Sequence, residues 1–292
     1  MSWKNKKLFP LIIIGFGLIL FSFWLLSKKF FSESDPYSPE SFWPTVTFEA
    51  NSFYLRPMSD SSNIALYHSA FPSSYFTFSI PEYAYQNLET GKGVRAEGIQ
   101  WNRVKKNHYT FSWEASDEEK EDNGIDFWGE LVASSNRVVF SLRAKNVSDQ
   151  VWSVKGPYHA HLLCLACGKN PAFIDPNGER AFMREGNQWE SLAHKQKGQP
   201  ARRSLAYPLI NQKPVAVKQS KDDDWFLSLT ATPAQTISYC LVERVSCMHV
   251  NPDWGLLKPG EEKTVNGKIE IFKTSMRKLW DQMIIEPRAN EM

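Results

Sequence analysis

Six short runs of aromatic and β-branched residues, spread along one continuous stretch of about 240 residues, most narrow what this chain can fold into. They are residues 75–80 (YFTFSI), 109–113 (YTFSW), 137–143 (RVVFSLR), 225–230 (WFLSLT), 237–242 (ISYCLV) and 268–272 (KIEIF). Successive side chains on a strand point to opposite faces, so this alternation describes half-buried strands. Turn-forming clusters lie between them at residues 89–93 (ETGKG), 123–124 (NG), 146–149 (NVSD), 176–178 (PNG) and 258–261 (KPGE). Many strands and few helices predict a mainly β protein, a large antiparallel β-sandwich occupying residues 45–292. A single short C-terminal helix is expected over residues 275–285 (SMRKLWDQMII). There Met276, Leu279, Trp280, Met283 and Ile284 recur at helical spacing and Pro287 ends the run. That stripe reads as packing against the sheet.

Residues 8–26 (LFPLIIIGFGLILFSFWLL) contain no charge. At about 1.5 Å rise per residue, a helix of this length approaches the roughly 30 Å of a bilayer's hydrocarbon core. Lys4, Lys6 and Lys7 precede it, Lys28 and Lys29 follow it, and Trp24 stands where an interfacial aromatic would. No small-x-small cleavage site follows, so an uncleaved signal anchor is expected rather than a signal peptide. The chain therefore divides into a cytoplasmic tail and transmembrane anchor (1–29), a Pro-rich juxtamembrane linker (30–44) and a domain outside the cytoplasm (45–292). Four cysteines then fall in a compartment where disulfides can form.

A hydrophobic share of 42% and 11 tryptophans describe a folded core. The formal net charge of +2 gives no electrostatic footprint for nucleic acid, which is not expected as a partner. The acidic run at 117–122 (DEEKED) reads as a solvated loop between strands.

Candidate chemistry gathers in two segments, 156–189 and 247–253. His159 and His161 lie two apart, on one face of any strand, and histidine suits proton transfer near neutral pH. Cys164 and Cys167 form a C-x-x-C, with Cys240 and Cys247 as the second pair, but no thioredoxin-like βαβ pattern surrounds them. Disulfide pairing or buried free thiols is the expectation for these four. A zinc site would need four ligands, for example Cys164, Cys167, Cys247 and His249. No metal or cofactor is expected. Asp175, Glu179 and Arg180 flank a Pro-Asn-Gly turn, where carboxylates either form the turn or serve a cleft. Among the tryptophans, Trp189 is a candidate for stacking on a sugar. Asp175, Arg180, His249 and Trp189 are the candidate ligand-binding residues.

The order of these elements carries a resemblance. A strand ends in residues 146–152 (NVSDQVW), followed by the His- and Cys-bearing strand and residues 171–176 (PAFIDP). Residues 179–182 (ERAF), 247–252 (CMHVNP) and 257–261 (LKPGE) complete it. Over residues 45–273 the chain resembles uncharacterised bacterial proteins with a galactose-mutarotase-like supersandwich. The resemblance implies a carbohydrate-related fold. Asn146 with His159 or His161 would match the family's turn and His-bearing strand, and Glu243 would stand where a base might. The resulting first expectation is a membrane-anchored, extracytoplasmic carbohydrate-binding protein. The alternatives are a mutarotase- or lyase-like enzyme using His159 or His161 with Glu243, and an envelope structural or assembly protein without a small ligand.

Overall fold

The computed structural model describes residues 51–58, 62–82, 84–87, 92–94, 98–115, 124–153, 163–185, 188–196, 204–208, 214–222, 224–242 and 244–274. The apolar stretch 8–26, the linker 30–44 and the expected helix 275–285 lie outside these residues. Among the described residues no helix is long and apolar enough to cross a membrane.

In chain order the strands are β1 (Phe53–Pro57), β2 (Asn63–His68), β3 (Tyr75–Ser79), β4 (Ala84–Asn87), β5 (Lys92–Val94), β6 (Gln100–Lys105) and β7 (His108–Trp113). They continue with β8 (Ile125–Ser134), β9 (Arg137–Asn146), β10 (Trp152–Ser153), β11 (Cys164–Ala166), β12 (Ala181–Glu185), β13 (Gln188–Ser191) and β14 (Ser204–Pro208). The last are β15 (Val215–Gln219), β16 (Trp225–Thr232), β17 (Ala234–Cys240), β18 (Cys247–Pro252), β19 (Leu256–Leu257) and β20 (Glu262–Lys273). The one α-helix among the described residues, α1 (Leu192–Lys195), is a single turn capped by the Ser191 hydroxyl, which accepts from His194 N–H at 3.2 Å.

Two large antiparallel sheets hold most of these strands. One has seven, in the order β1-β2-β3-β11-β18-β17-β14; the other has nine, β13-β12-β15-β16-β20-β9-β8-β7-β6. All six sequence runs fall on strands of these sheets. Alternation sends Phe76, Phe78, Leu165, Ile237, Tyr239, Met248 and Val250 of the first sheet inward. They join Val138, Phe140, Leu142, Leu227, Leu229, Val265 and Ile269 of the second in one buried cluster. The Tyr239 hydroxyl reaches across this layer, donating to the Phe182 carbonyl at 2.6 Å and accepting from Val217 N–H at 3.1 Å.

The turn after β9 is held by one side chain. Asn146 is buried; its Oδ1 accepts from Ser148 N–H (3.0 Å) and the Ser148 hydroxyl (2.7 Å). Its Nδ2 donates to the carbonyls of Gln150 (2.7 Å) and Leu257 (2.9 Å), tying the turn to β19. Asn146 is thus a structural hub in this fold.

Candidate functional site

The outer face of the seven-stranded sheet is unusual, because polar side chains are buried on it. The registers align Asn63 of β2 with Ser79 of β3, Ser79 with Cys164 of β11, Cys164 with His249 of β18, and His249 with Ser238 of β17. One row perpendicular to the strands therefore reads Asn-Ser-Cys-His-Ser. Ser79, Cys164, His249 and Ser238 in it are buried. Asn251 and Thr236, two residues further along β18 and β17, are buried as well, with Asn251 Nδ2 donating to Thr236 Oγ1 at 2.6 Å. Ser238 Oγ and Asn251 Oδ1 have no hydrogen-bond partner among the described residues. Buried polar atoms almost always have partners, so these two leave hydrogen-bonding capacity open on this face.

Four residues along the same strands, about 13 Å away at roughly 3.3 Å per residue, a second row is aromatic. Tyr54 of β1 pairs with Tyr67 of β2, and Tyr67 with Tyr75 of β3. Their ring centroids are 6.3 Å and 5.2 Å apart. Between the two rows lie small residues: Ala65, Thr77 and Ala166, with Cys247 next in register. Thr77 and Ala166 keep partial solvent exposure. The face thus carries a tyrosine row, a floor of small residues and a polar wall.

Within the polar wall the thiols and imidazole converge. One ligand atom each of Cys164, Cys247 and His249 lies within 4.8 Å of the other two, and all three residues are buried. Cys247 Sγ is 3.7 Å from His249 Nε2 and 4.0 Å from Nδ1. Glu82, in the segment after β3, brings Oε2 to 3.3 Å from His249 Nε2. Burial opposes protonation of His249, but the Cys247 sulfur and the Glu82 carboxylate outweigh it and raise its pKa to about 10. A hydrogen bond with Cys247 works against the shift at Cys164, yet burial and Glu82 push that thiol up. The hydrogen bond with Cys164 and burial raise Cys247, and Cys240, half-buried on β17, is raised by its contact with Cys247 and by burial. All four cysteines are free thiols in the structure.

The other expected residues sit elsewhere. Cys167 points to the opposite face from Cys164, into the main core, where burial raises its thiol and the nearby Lys218 opposes the rise. Asp175 is buried and shapes its turn: Oδ1 accepts from Glu179 N–H at 3.2 Å and Oδ2 from Arg180 N–H at 2.8 Å. The Arg180 guanidinium donates to the Ile174 carbonyl at 2.8 Å. Trp189 is buried in a separate small apolar cluster with Phe182, Val215, Val217 and Phe226, against the nine-stranded sheet. His159, His161 and Glu243 lie outside the described residues. Of the expected ligand-binding residues, the polar wall contains His249 alone. The sequence reading missed Glu82, Ser238 and the tyrosine row.

No family model matches the sequence, and no curated protein does. Solved structures of galactose mutarotase-like proteins align with much of this chain. A galactose mutarotase-like protein from Lactobacillus casei aligns with 77% of this chain and 99% of its own, at 11% identity and a TM-score of 0.49. A galactose mutarotase related enzyme from Lactobacillus acidophilus aligns with 77% of this chain and 98% of its own, at 11% identity and a TM-score of 0.46. Galactose 1-epimerase from the same organism gives 9% identity over 74% of this chain and 93% of its own, with a TM-score of 0.42. At such identities, and with TM-scores below 0.5, these alignments assign neither a family nor an activity to this chain.

Proposed function

We propose that this chain is a membrane-anchored protein whose β-sandwich, held outside the cytoplasm, binds carbohydrate on the outer face of the seven-stranded sheet. The observation that supports this reading is the placement of a tyrosine row and a buried polar row on opposite sides of a floor of small residues. A sugar ring has an apolar C–H face and a rim of hydroxyls that both donate and accept. Tyrosine rings match the first requirement. Ser238 Oγ and Asn251 Oδ1, with no partner among the described residues, match the second. A neutral polyol also fits a wall in which His249 and Glu82 already face each other at 3.3 Å. The anchor in this reading is the uncharged stretch 8–26, with Lys on both flanks.

The test is glycan-array binding by the detergent-solubilised chain, followed by titration of the best ligand against two variants. Thr77→Arg fills the floor at a partly exposed position and is expected to weaken binding at least tenfold. Tyr54→Ala removes the partly exposed end of the tyrosine row and is expected to weaken it by roughly threefold to tenfold, the order of one aromatic contact. A folded wild-type chain that binds no glycan, or glycan binding that Thr77→Arg leaves intact, would sink the reading.

A further inference from the structure

We propose that Cys164, Cys247 and His249 form a binding site for a divalent zinc-type cation, with Glu82 as the residue that orients the imidazole. Its ligands lie in the polar wall and at the end of the floor of small residues, and metal binding is read with no glycan present. Its geometry is already close to what such an ion requires. Metal–sulfur and metal–nitrogen bonds of about 2.3 and 2.1 Å in a tetrahedron place sulfur and nitrogen ligands about 3.6 Å apart, and two sulfurs about 3.8 Å apart. Cys247 Sγ stands 3.7 and 4.0 Å from the two imidazole nitrogens, and all three ligand atoms fit inside 4.8 Å. Small side-chain rotations close the remainder.

Register explains why the three meet. Cys164 and His249 are direct cross-strand partners on β11 and β18, and Cys247 is the next outward residue along β18, diagonal to Cys164. Rigid strands in the middle of a sheet thus supply all three ligands. Glu82 Oε2 lies at an ion-pair distance of 3.3 Å from His249 Nε2, and on metal binding it would take that nitrogen's proton-bearing side and leave Nδ1 for the metal, the carboxylate–histidine arrangement that orients many metal-bound imidazoles. The ligand set also argues for the class of ion. Two thiolates and an imidazole suit zinc and its neighbours, not calcium or magnesium. Two metal–sulfur bonds form as two thiol protons pass to solvent, and the fourth position is left to water or to Cys240, which contacts Cys247 from β17. The C-x-x-C does not act as a unit: Cys167 lies on the other side of the strand, in the core.

The experiment is cobalt(II) titration of the full chain, purified in detergent, reduced and stripped of metal under anaerobic conditions. One equivalent of cobalt is expected to give thiolate-to-cobalt charge-transfer bands and the intense visible bands of a tetrahedral ion, both bleached by added zinc. Cys164→Ser and Cys247→Ser are expected to lose the charge-transfer intensity. Cys167→Ser is expected to keep it, and Glu82→Gln to keep the spectrum while weakening affinity ten- to hundredfold. The wild-type spectrum decides even where a variant fails to fold. An absence of charge-transfer bands in the reduced wild type, or a Cys167→Ser variant as impaired as a folded Cys247→Ser, overturns the proposal.

Discussion

Replacing Asn146 with alanine is expected to cost the domain about 4 kcal/mol of stability, since two or more buried polar groups lose their partners at roughly 1–3 kcal/mol each. The side chain makes four hydrogen bonds from a fully buried position. Alanine leaves Ser148 N–H and the Leu257 carbonyl without them and opens a small void besides. The damage is not confined to the turn. Leu257 belongs to β19, which pairs with β10, and Trp152 of β10 packs against Trp254 with ring centroids 6.0 Å apart. Ser148→Ala removes only one bond of the same network and is expected to cost about 1 kcal/mol. The double variant should then cost less than the sum of the two, because the Ser148 hydroxyl and Asn146 Oδ1 are partners at 2.7 Å. Urea unfolding of the three variants measures this. A cost below 1 kcal/mol for Asn146→Ala would show that the turn is held by the backbone alone.

The parts of the fold legible in the sequence were those with one dry face. Residues 137–143 turn Val138, Phe140 and Leu142 to the core and Arg137, Val139, Ser141 and Arg143 away from it because β9 alternates between core and solvent, and the structure extends that strand to Asn146. Strand β18 (CMHVNP) alternates Met248 and Val250 with His249 and Asn251, but all six residues are buried, so the alternation divides core from a buried polar face and not core from solvent. Strand β8 interrupts its pattern with Gly129, where an added Cβ would strike the Ser141 carbonyl. That glycine follows from the close approach of β9, a tertiary fact absent from the local sequence. Asn146 was legible as a turn former, and its bond to Leu257 was not, since 111 residues separate them.

The site divides along the same line. Cys247 and His249 were visible as a pair two apart on one strand face, and Cys164 as a cysteine in a neighbouring apolar run. What joined them was the pairing of β11 with β18, which no local pattern encodes. The C-x-x-C was misleading for a reason that strand geometry supplies: residues three apart on a strand face opposite ways, so Cys164 and Cys167 could share a site only off a strand. Glu82 had no signal at all, being a lone carboxylate in the segment that follows β3. The tyrosine row escaped because β1 and β2 were not recognised as strands; once they are, Tyr54, Tyr67 and Tyr75 fall on one face by parity. The sequence thus names chemistry that lies along a strand more readily than chemistry that runs across a sheet.

Mild acid is expected to destabilise the domain through His68, which faces inward at the end of β2 with 1% of its surface exposed. The rings of Phe53, Phe71 and Trp225 surround it, at centroid distances of 4.9, 6.5 and 5.8 Å. Its Nδ1 accepts from Ala70 N–H at 3.2 Å, a bond that protonation would abolish. Burial lowers its pKa from 6.5 to about 4. The folded state therefore resists a proton that the unfolded chain accepts. The stabilisation is complete above pH 6.5, erodes as the pH falls, and is wholly lost below about 4. Between pH 7.5 and 5 the His68 share amounts to about 2 kcal/mol, and it is partly offset by His249, whose pKa raised to about 10 makes its protonated form a gain of the folded state. In urea the His68 share is a fall in midpoint on the order of 1 M, read as the difference in pH slope between the wild type and a His68 variant. His68→Asn keeps an acceptor near Ala70 N–H and removes the titrating ring. It is expected to be less stable than the wild type at neutral pH, through lost aromatic packing, and to lose the His68 share of the slope between pH 7.5 and 5. A variant that retains the full slope would assign the acid sensitivity to other groups and remove His68 from the account.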